Sequence, residues 1–167
     1  MYKNVIRYLG AAAILAASVQ AQIPSSITLH SAGFNCSTAA GAQTFSVSSF
    51  GMNSVHTPLK SPPSSPGVVV GPLRVTKAVD TCSPLLLRLA VEGTTLASVT
   101  LVDTATRMTV VMSNVVIDSD NLSSGNSSVP QETVSMTFSR VNVTYTAQGQ
   151  SVCWDNLLKS SRCPAGN

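Results

Sequence analysis

Residues 71–102, GPLRVTKAVDTCSPLLLRLAVEGTTLASVTLV, read as strand, short helix, strand, and the rest of the chain is arranged around them. Ser83 can accept a hydrogen bond from the first-turn amides, and Pro84 suits the first helical position, where its missing N–H costs nothing. Leu85 and Leu89, with Leu86 and Ala90, recur four residues apart as a continuous apolar stripe, and Glu92-Gly93 offers a left-handed exit. The pattern predicts a helix of about two and a half turns. A helix that short is marginal alone, so its leucines must be buried against the β-branched runs on either side.

Working outward, residues 27–30 alternate apolar and polar and predict a first strand. In 44–52, Phe45, Val47 and Ser49 alternate with Ser46, Ser48 and Phe50, the period of a second strand with both faces partly covered. NSVHTPLKSPPSSP, residues 53–66, carries four prolines and five serines or threonines in fourteen residues. It predicts a long projecting loop with no ladder or helix. Residues 68–77 predict a third strand, 97–103 a fourth, and 107–117 a fifth that is apolar on both faces at its end. DSDNLSSGNSSVP, 118–130, reads as a second polar loop. Within the last run, 132–146, Val134, Met136 and Phe138 hold even positions, but Val141, Val143 and Tyr145 hold odd ones. An unbroken strand would turn half of these outward, so the pattern predicts a bulge near Ser139-Arg140 that inserts one residue and bends the strand. Six or seven mostly antiparallel strands and one helix close most economically into a small, mainly β barrel with the helix against it, because closure removes exposed edges. An open sandwich is the alternative.

The leader shapes the domain organisation. Lys3 and Arg7, an apolar run from Leu9 to Ala17 and the small-residue site Val19-Gln20-Ala21 form the three parts of a secretory signal, over residues 1–21. The apolar run is too short to span a bilayer, which takes about 20 residues. Of the 10 basic residues, Lys3 and Arg7 leave with the leader, so 8 remain against 7 acidic ones and the mature net charge is 8 − 7 = +1. With 10% charged and 5% aromatic residues there is no basic patch interleaved with stacking rings, which argues against a nucleic-acid partner. A nearly neutral surface tolerates self-association.

Four cysteines remain after export: Cys36, Cys82, Cys153 and Cys163. In an exported chain an even number reads as two disulfides with three possible connectivities. A pair between Cys153 and Cys163 closes a short local loop around Trp154, which leaves Cys36 with Cys82 by elimination. No CxxC spacing occurs, and neither His30 nor His56 has a second ligand nearby, so no metal site is expected. Catalytic motifs are absent too: no GxSxG, P-loop, HExxH or GxGxxG. Glu92 and Glu132 are the one imaginable carboxylate pair, but Glu92 is better read as an exposed residue at the helix end. Four Asn-X-Ser/Thr sites, at Asn35, Asn121, Asn126 and Asn142, read as chance matches in a chain rich in Ser and Thr. Neither an enzyme nor a cofactor is expected.

The order of these features resembles the type VI secretion tube protein family, hemolysin-coregulated protein or Hcp. SVSSFGMNS, residues 46–54, resembles the family's strand ending in Trp/Phe-Gly-Met before its extended loop. LRVTKAVDTCSPLLLRLAVEGTTLASVTL, residues 73–101, is similar to the family's strand, Thr-Lys, Asp, Ser-Pro, helix, Gly and following strand. PQETVSMTFSRVNVTYTAQ, 130–148, resembles its final strand, including Arg140 and Tyr145, and CWDNLLKS resembles a Gly-Trp-Asp segment with Cys153 in the glycine's place.

The resemblance implies an Hcp-like barrel over residues 22–150 and a two-cysteine tail over 151–167. It implies no enzyme, but a hexameric ring whose stacked copies form a hollow tube that carries effectors and meets tip and sheath proteins. The part of the long loop implied to touch the next ring is Val55, His56, Thr57, Pro58, Leu59 and Lys60. Family tube subunits assemble in the cytoplasm and normally lack a secretory signal, so the leader and the cysteines fit an exported, secreted or periplasmic relative. An exported carbohydrate- or surface-binding β module is the alternative function. Processing after Ala21 predicts a secreted chain whose mass begins at Gln22, and recovery of intact Met1 protein from the cytoplasm alone would overturn this.

Overall fold

The computed structural model describes residues 26–36, 43–57, 67–125 and 129–161. In chain order these form β1 (Ile27–His30), β2 (Thr44–Val47), β3 (Ser49–Gly51), β4 (Ser54–Thr57), β5 (Gly67–Val70) and β6 (Leu73–Ala78). The helix α1 (Ser83–Glu92) follows, then β7 (Thr95–Asp103), β8 (Met108–Ser123), β9 (Gln131–Tyr145) and β10 (Gln150–Asp155). Every pairing is antiparallel, in the order β2-β1-β7-β8-β9-β6-β3, with β10 on β9 and a separate β4–β5 hairpin. The two end strands of that order, β2 and β3, are consecutive in the chain and interrupted only at Ser48, whose N–H donates to Thr76 O at 2.7 Å. One chain segment thus serves both ends of the sheet, and the result is a nearly closed barrel. Its interior is filled by inward-facing residues such as Leu29, Val75, Leu101, Met112, Ile117 and Met136, all fully or almost fully buried.

Several expected boundaries move. Residues 44–52 form two short strands. The prolines do not suppress pairing at the start of the expected loop: Ser54–Thr57 pairs with Gly67–Val70, because the four prolines all lie beyond Thr57. The expected strand 68–77 breaks at Gly71-Pro72, where proline has no N–H for a ladder. The fifth strand runs on to Ser123, so residues 119–123 of the expected second loop pair along β9.

The change of phase in β9 is real, but no residue is inserted there. Phe138 and Val141 are both buried, as are Met112 and Val115 on β8 and Leu96 and Val99 on β7. The register is the same on both sides of the change: Val115↔Phe138 and Ser113↔Arg140, Leu96↔Val115 and Ser98↔Ser113. Three neighbouring strands therefore shift their inward face along one line through Ala97, Asn114 and Ser139. Asn114 has φ 50°, a left-handed conformation that asparagine tolerates, and its Nδ2 donates to Ser139 Oγ at 3.0 Å. The register shift that does occur lies between Ile117 and Ser119 on β8, where Asp118 is the extra residue.

The helix packs on β8 with Leu86 and Leu89 buried. Its N-cap is Cys82, not Ser83, and the Cys82 side chain makes no capping bond. Ser83 is the first helical residue, and its Oγ accepts instead from the Asp80 N–H at 2.9 Å. The exit is as expected, through Gly93 at φ 62°. A Cys36–Cys82 disulfide, Cα–Cα 4.9 Å, ties the chain after β1 to this helix start. Substituting Asn114 tests the shared bend. Asn114→Val, which disfavours positive φ, should lose about 1–2 kcal/mol more stability in urea unfolding than Asn114→Gly. Equal losses would show that the left-handed residue does not make the bend.

Candidate functional site

The most unusual chemistry in the chain lies where β6, β9 and the start of α1 meet. Leu73, Val75 and Lys77 share the inward face of β6, and Glu132, Val134 and Met136 that of β9. Lys77 and Glu132 stand directly opposite in the ladder and are both wholly inaccessible. Lys77 Nζ lies 2.5 Å from Glu132 Oε1 and 2.8 Å from Asp80 Oδ1, and donates to Ala78 O at 2.8 Å. The Phe45 ring centroid is 5.3 Å away. Ser83 Oγ donates to Glu132 Oε1 at 2.8 Å, and the Cys82 N–H donates to Asp80 Oδ1 at 2.8 Å. The lysine therefore joins both strands to the turn that starts the helix. Because Lys77 and Glu132 are sealed from solvent, this network holds the fold and offers no surface to a substrate.

One carboxylate beside it is not neutralised. Both oxygens of Asp120, on β8, and Oε2 of Glu132 are buried without a hydrogen-bond partner. Burial first, and then the Glu132 charge, raise the Asp120 pKa from 3.8 to about 6, against the pull of Lys77. The charged form of Asp120 is thus disfavoured by folding, so this residue adds stability as pH falls through about 6 toward 3.8 and withdraws it as pH rises.

The other residues nominated from sequence are dispersed. His30 Nδ1 lies 3.0 Å from Thr44 Oγ1 at the exposed end of β1. Glu92 sits at the helix end, 3.9 Å from the Arg88 Nε, and both are exposed, whereas Glu132 is buried in the network, so the two carboxylates form no pair. Among the described residues no cluster of three or more His, Cys, Asp or Glu could hold a metal ion. Cys153 is disulfide-bonded, and Cys163, its expected partner, lies outside the described residues. Val55, His56 and Thr57 lie in β4, with Val55 53% exposed, and Pro58, Leu59 and Lys60 lie outside the described residues.

The C-terminal segment is held firmly. Asp155 accepts from the Leu157 and Leu158 N–H groups at 2.8 and 2.9 Å and faces Arg140 at 3.4 Å. The bond from Leu158 contributes most to holding its carboxyl below the usual carboxylate range. Leu157 and Leu158 themselves remain exposed, as does Val152.

A family model described as type VI secretion system effector, Hcp, matches residues 18–145. No curated protein sequence matches the chain. Among solved structures, the chain is similar to Hcp1 from Salmonella typhimurium, with TM-score 0.66 and 20% identity over 81% of this chain and 97% of that one. A type VI secretion system effector from Yersinia pestis gives TM-score 0.62 and 16% identity, covering 77% and 98%. A structure described as a type six secretion system protein gives 0.65 and 18%, covering 81% and 98%.

The buried charges predict opposite effects for two substitutions. Lys77→Met leaves Glu132 uncompensated in the interior and should cost about 3–5 kcal/mol of unfolding free energy. Asp120→Asn should stabilise the protein at pH 7 by about 1–2 kcal/mol, a value discounted for partial solvation. Melting temperatures of the wild type and Asp120→Asn measured across pH should converge as pH falls through about 6 toward 3.8. A difference that does not change with pH would rule out Asp120 as the titrating group.

Proposed function

This chain belongs to the Hcp family of type VI secretion proteins, and from that premise we propose that it is a structural subunit that assembles into hexameric rings. The rings stack into a tube able to carry effectors, and the subunit performs no catalysis and needs no cofactor. The observation that carries this reading is the family match over residues 18–145 together with the nearly closed barrel and single flanking helix. Several features support the finer steps. The β4–β5 hairpin stands apart from the barrel sheet as a sheet of its own, and residues 53–66 carry only one charged side chain, Lys60. Docking it against a second ring would desolvate little charge, and its prolines lower the entropy lost on docking. The leader over residues 1–21 and the Cys36–Cys82 disulfide support export to an oxidising compartment. On this reading the partners are copies of the chain itself and other secretion proteins, with no nucleic acid. The mature protein is a barrel domain over residues 22–150 and a tail over 151–167 that returns to the barrel through β10.

Replacing residues 55–65 with a short Gly-Ser linker should leave a folded hexamer that no longer stacks, measured by light scattering and electron microscopy beside the unmodified protein. If the unmodified protein stays monomeric at high concentration, the ring reading fails and the exported surface-binding module takes its place.

A further inference from the structure

The β3–β6 ladder ends at Gly51↔Arg74, and the β4–β5 ladder begins at Ser54↔Val70. Met52 and Asn53 span the gap on one side; Gly71, Pro72 and Leu73 span it on the other. The two ladders are one ribbon interrupted by one extra residue, the arrangement that turns a ribbon away from its own line. Two brackets hold this root. The first is the Gly71 N–H, which donates to Asn53 O at 2.8 Å; a Cβ on Gly71 would fall on Asn53 Oδ1, so the Asn53 side chain packs against the bare glycine backbone.

The second bracket comes from the C-terminal segment. On the edge of β9, β6 pairs with residues 131–136 and β10 with residues 140–145. Asn156 fills the place between them. Its N–H donates to Ser139 O at 2.8 Å, and its Nδ2 donates to Phe138 O at 3.1 Å and Val70 O at 3.5 Å. Its Oδ1 accepts from Trp154 Nε1 at 3.0 Å, which orients the amide. Val70 is the last residue of the hairpin.

We infer that Asn156 and Gly71 are positioning residues for the projecting hairpin: they fix the direction in which β4–β5 leaves the barrel, and through it the contact between rings. Only that last step rests on the stacking proposed above. The C-terminal segment, though distant from the hairpin in sequence, becomes part of the stacking apparatus.

Hydrogen exchange on the intact, disulfide-bonded protein tests this with Asn156→Ala, Asn156→Asp and Gly71→Pro, the last of which removes the N–H that donates to Asn53 O. Asn156→Asp keeps the acceptor for Trp154 but lacks the donor to Val70 and Phe138. All three should speed exchange in residues 54–57 and 67–70 about tenfold while the β7–β8 ladder stays as in the wild type. Rings should persist, and stacks should shorten. Three results would overturn the inference: unchanged hairpin exchange, hairpin amides already unprotected in the wild type, or hairpin and barrel accelerating together. A loosened hairpin with undiminished stacks would overturn its link to assembly. If wild-type rings do not stack at all, the stacking proposal fails, and the exchange data alone still decide whether these residues position the hairpin.

Discussion

The barrel depends on a lysine that has no access to water. Lys77 stands where β6, β9 and the turn into α1 converge, and its three donors are divided among a strand carboxylate, a turn carboxylate and a backbone carbonyl. An apolar residue at this site would spare the desolvation cost, but it would not tell the helix start where to sit. Ser83 reaches the same Glu132 oxygen from the helix side, so the helix is placed by polar geometry at one end and by Leu86 and Leu89 along its length. The Cys36–Cys82 bond closes the same corner covalently. Three kinds of interaction therefore act on one turn, which explains how a ten-residue helix, marginal in isolation, stays docked.

The second organising feature is the line through Ala97, Asn114 and Ser139. A barrel wall must curve, and a lone bulge would curve one strand while disturbing its register with both neighbours. Shifting three strands together keeps the ladder in step on either side and changes which residues face inward. Asn114 supplies the backbone conformation, and Ser139 Oγ, which donates to Ser113 O, secures the neighbouring strand. The residue inserted in β8, Asp118, comes just beyond it and leads into the stretch of β8 that carries the unpartnered Asp120.

How much of this was legible in the sequence differs by element. The helix and its glycine exit were clear, because an apolar stripe and a left-handed glycine are local signals. The phase change in β9 was visible for the same reason, but its mechanism was not, since the residue that makes it lies on the partner strand. The buried ion pair was also written in the alternation: Lys77 follows Leu73 and Val75 on one face, and Glu132 precedes Val134 and Met136 on another. Lysine and glutamate are ordinarily solvent-facing, so the alternation alone does not reveal that the two are buried together. The prolines of residues 53–66 drew attention away from Ser54–Thr57, whose partner strand lies across the whole loop. Ser83 looked like a cap because its sequence context suits one; its hydroxyl is used by Asp80 and Glu132, groups that local reading cannot bring near. The hairpin root was out of reach altogether, since Gly71, Asn53 and Asn156 meet only in the folded chain.

The closure of the barrel also sets an order of events for a chain made from its N-terminus. β7, β8, β9 and β10 follow one another as neighbours and can pair while still short-range. β1 can pair at once with β2, but its other edge must wait for β7, β3 for β6, and β6 for β9, so the early strands complete their pairing only when the late ones arrive. Until then the open edges of β1 and β3 are available to any other extended chain. For a chain exported as proposed above, this delay would be an asset: a translocating chain has to remain open, and this topology leaves the N-terminal strands only partly paired until the C-terminal ones arrive.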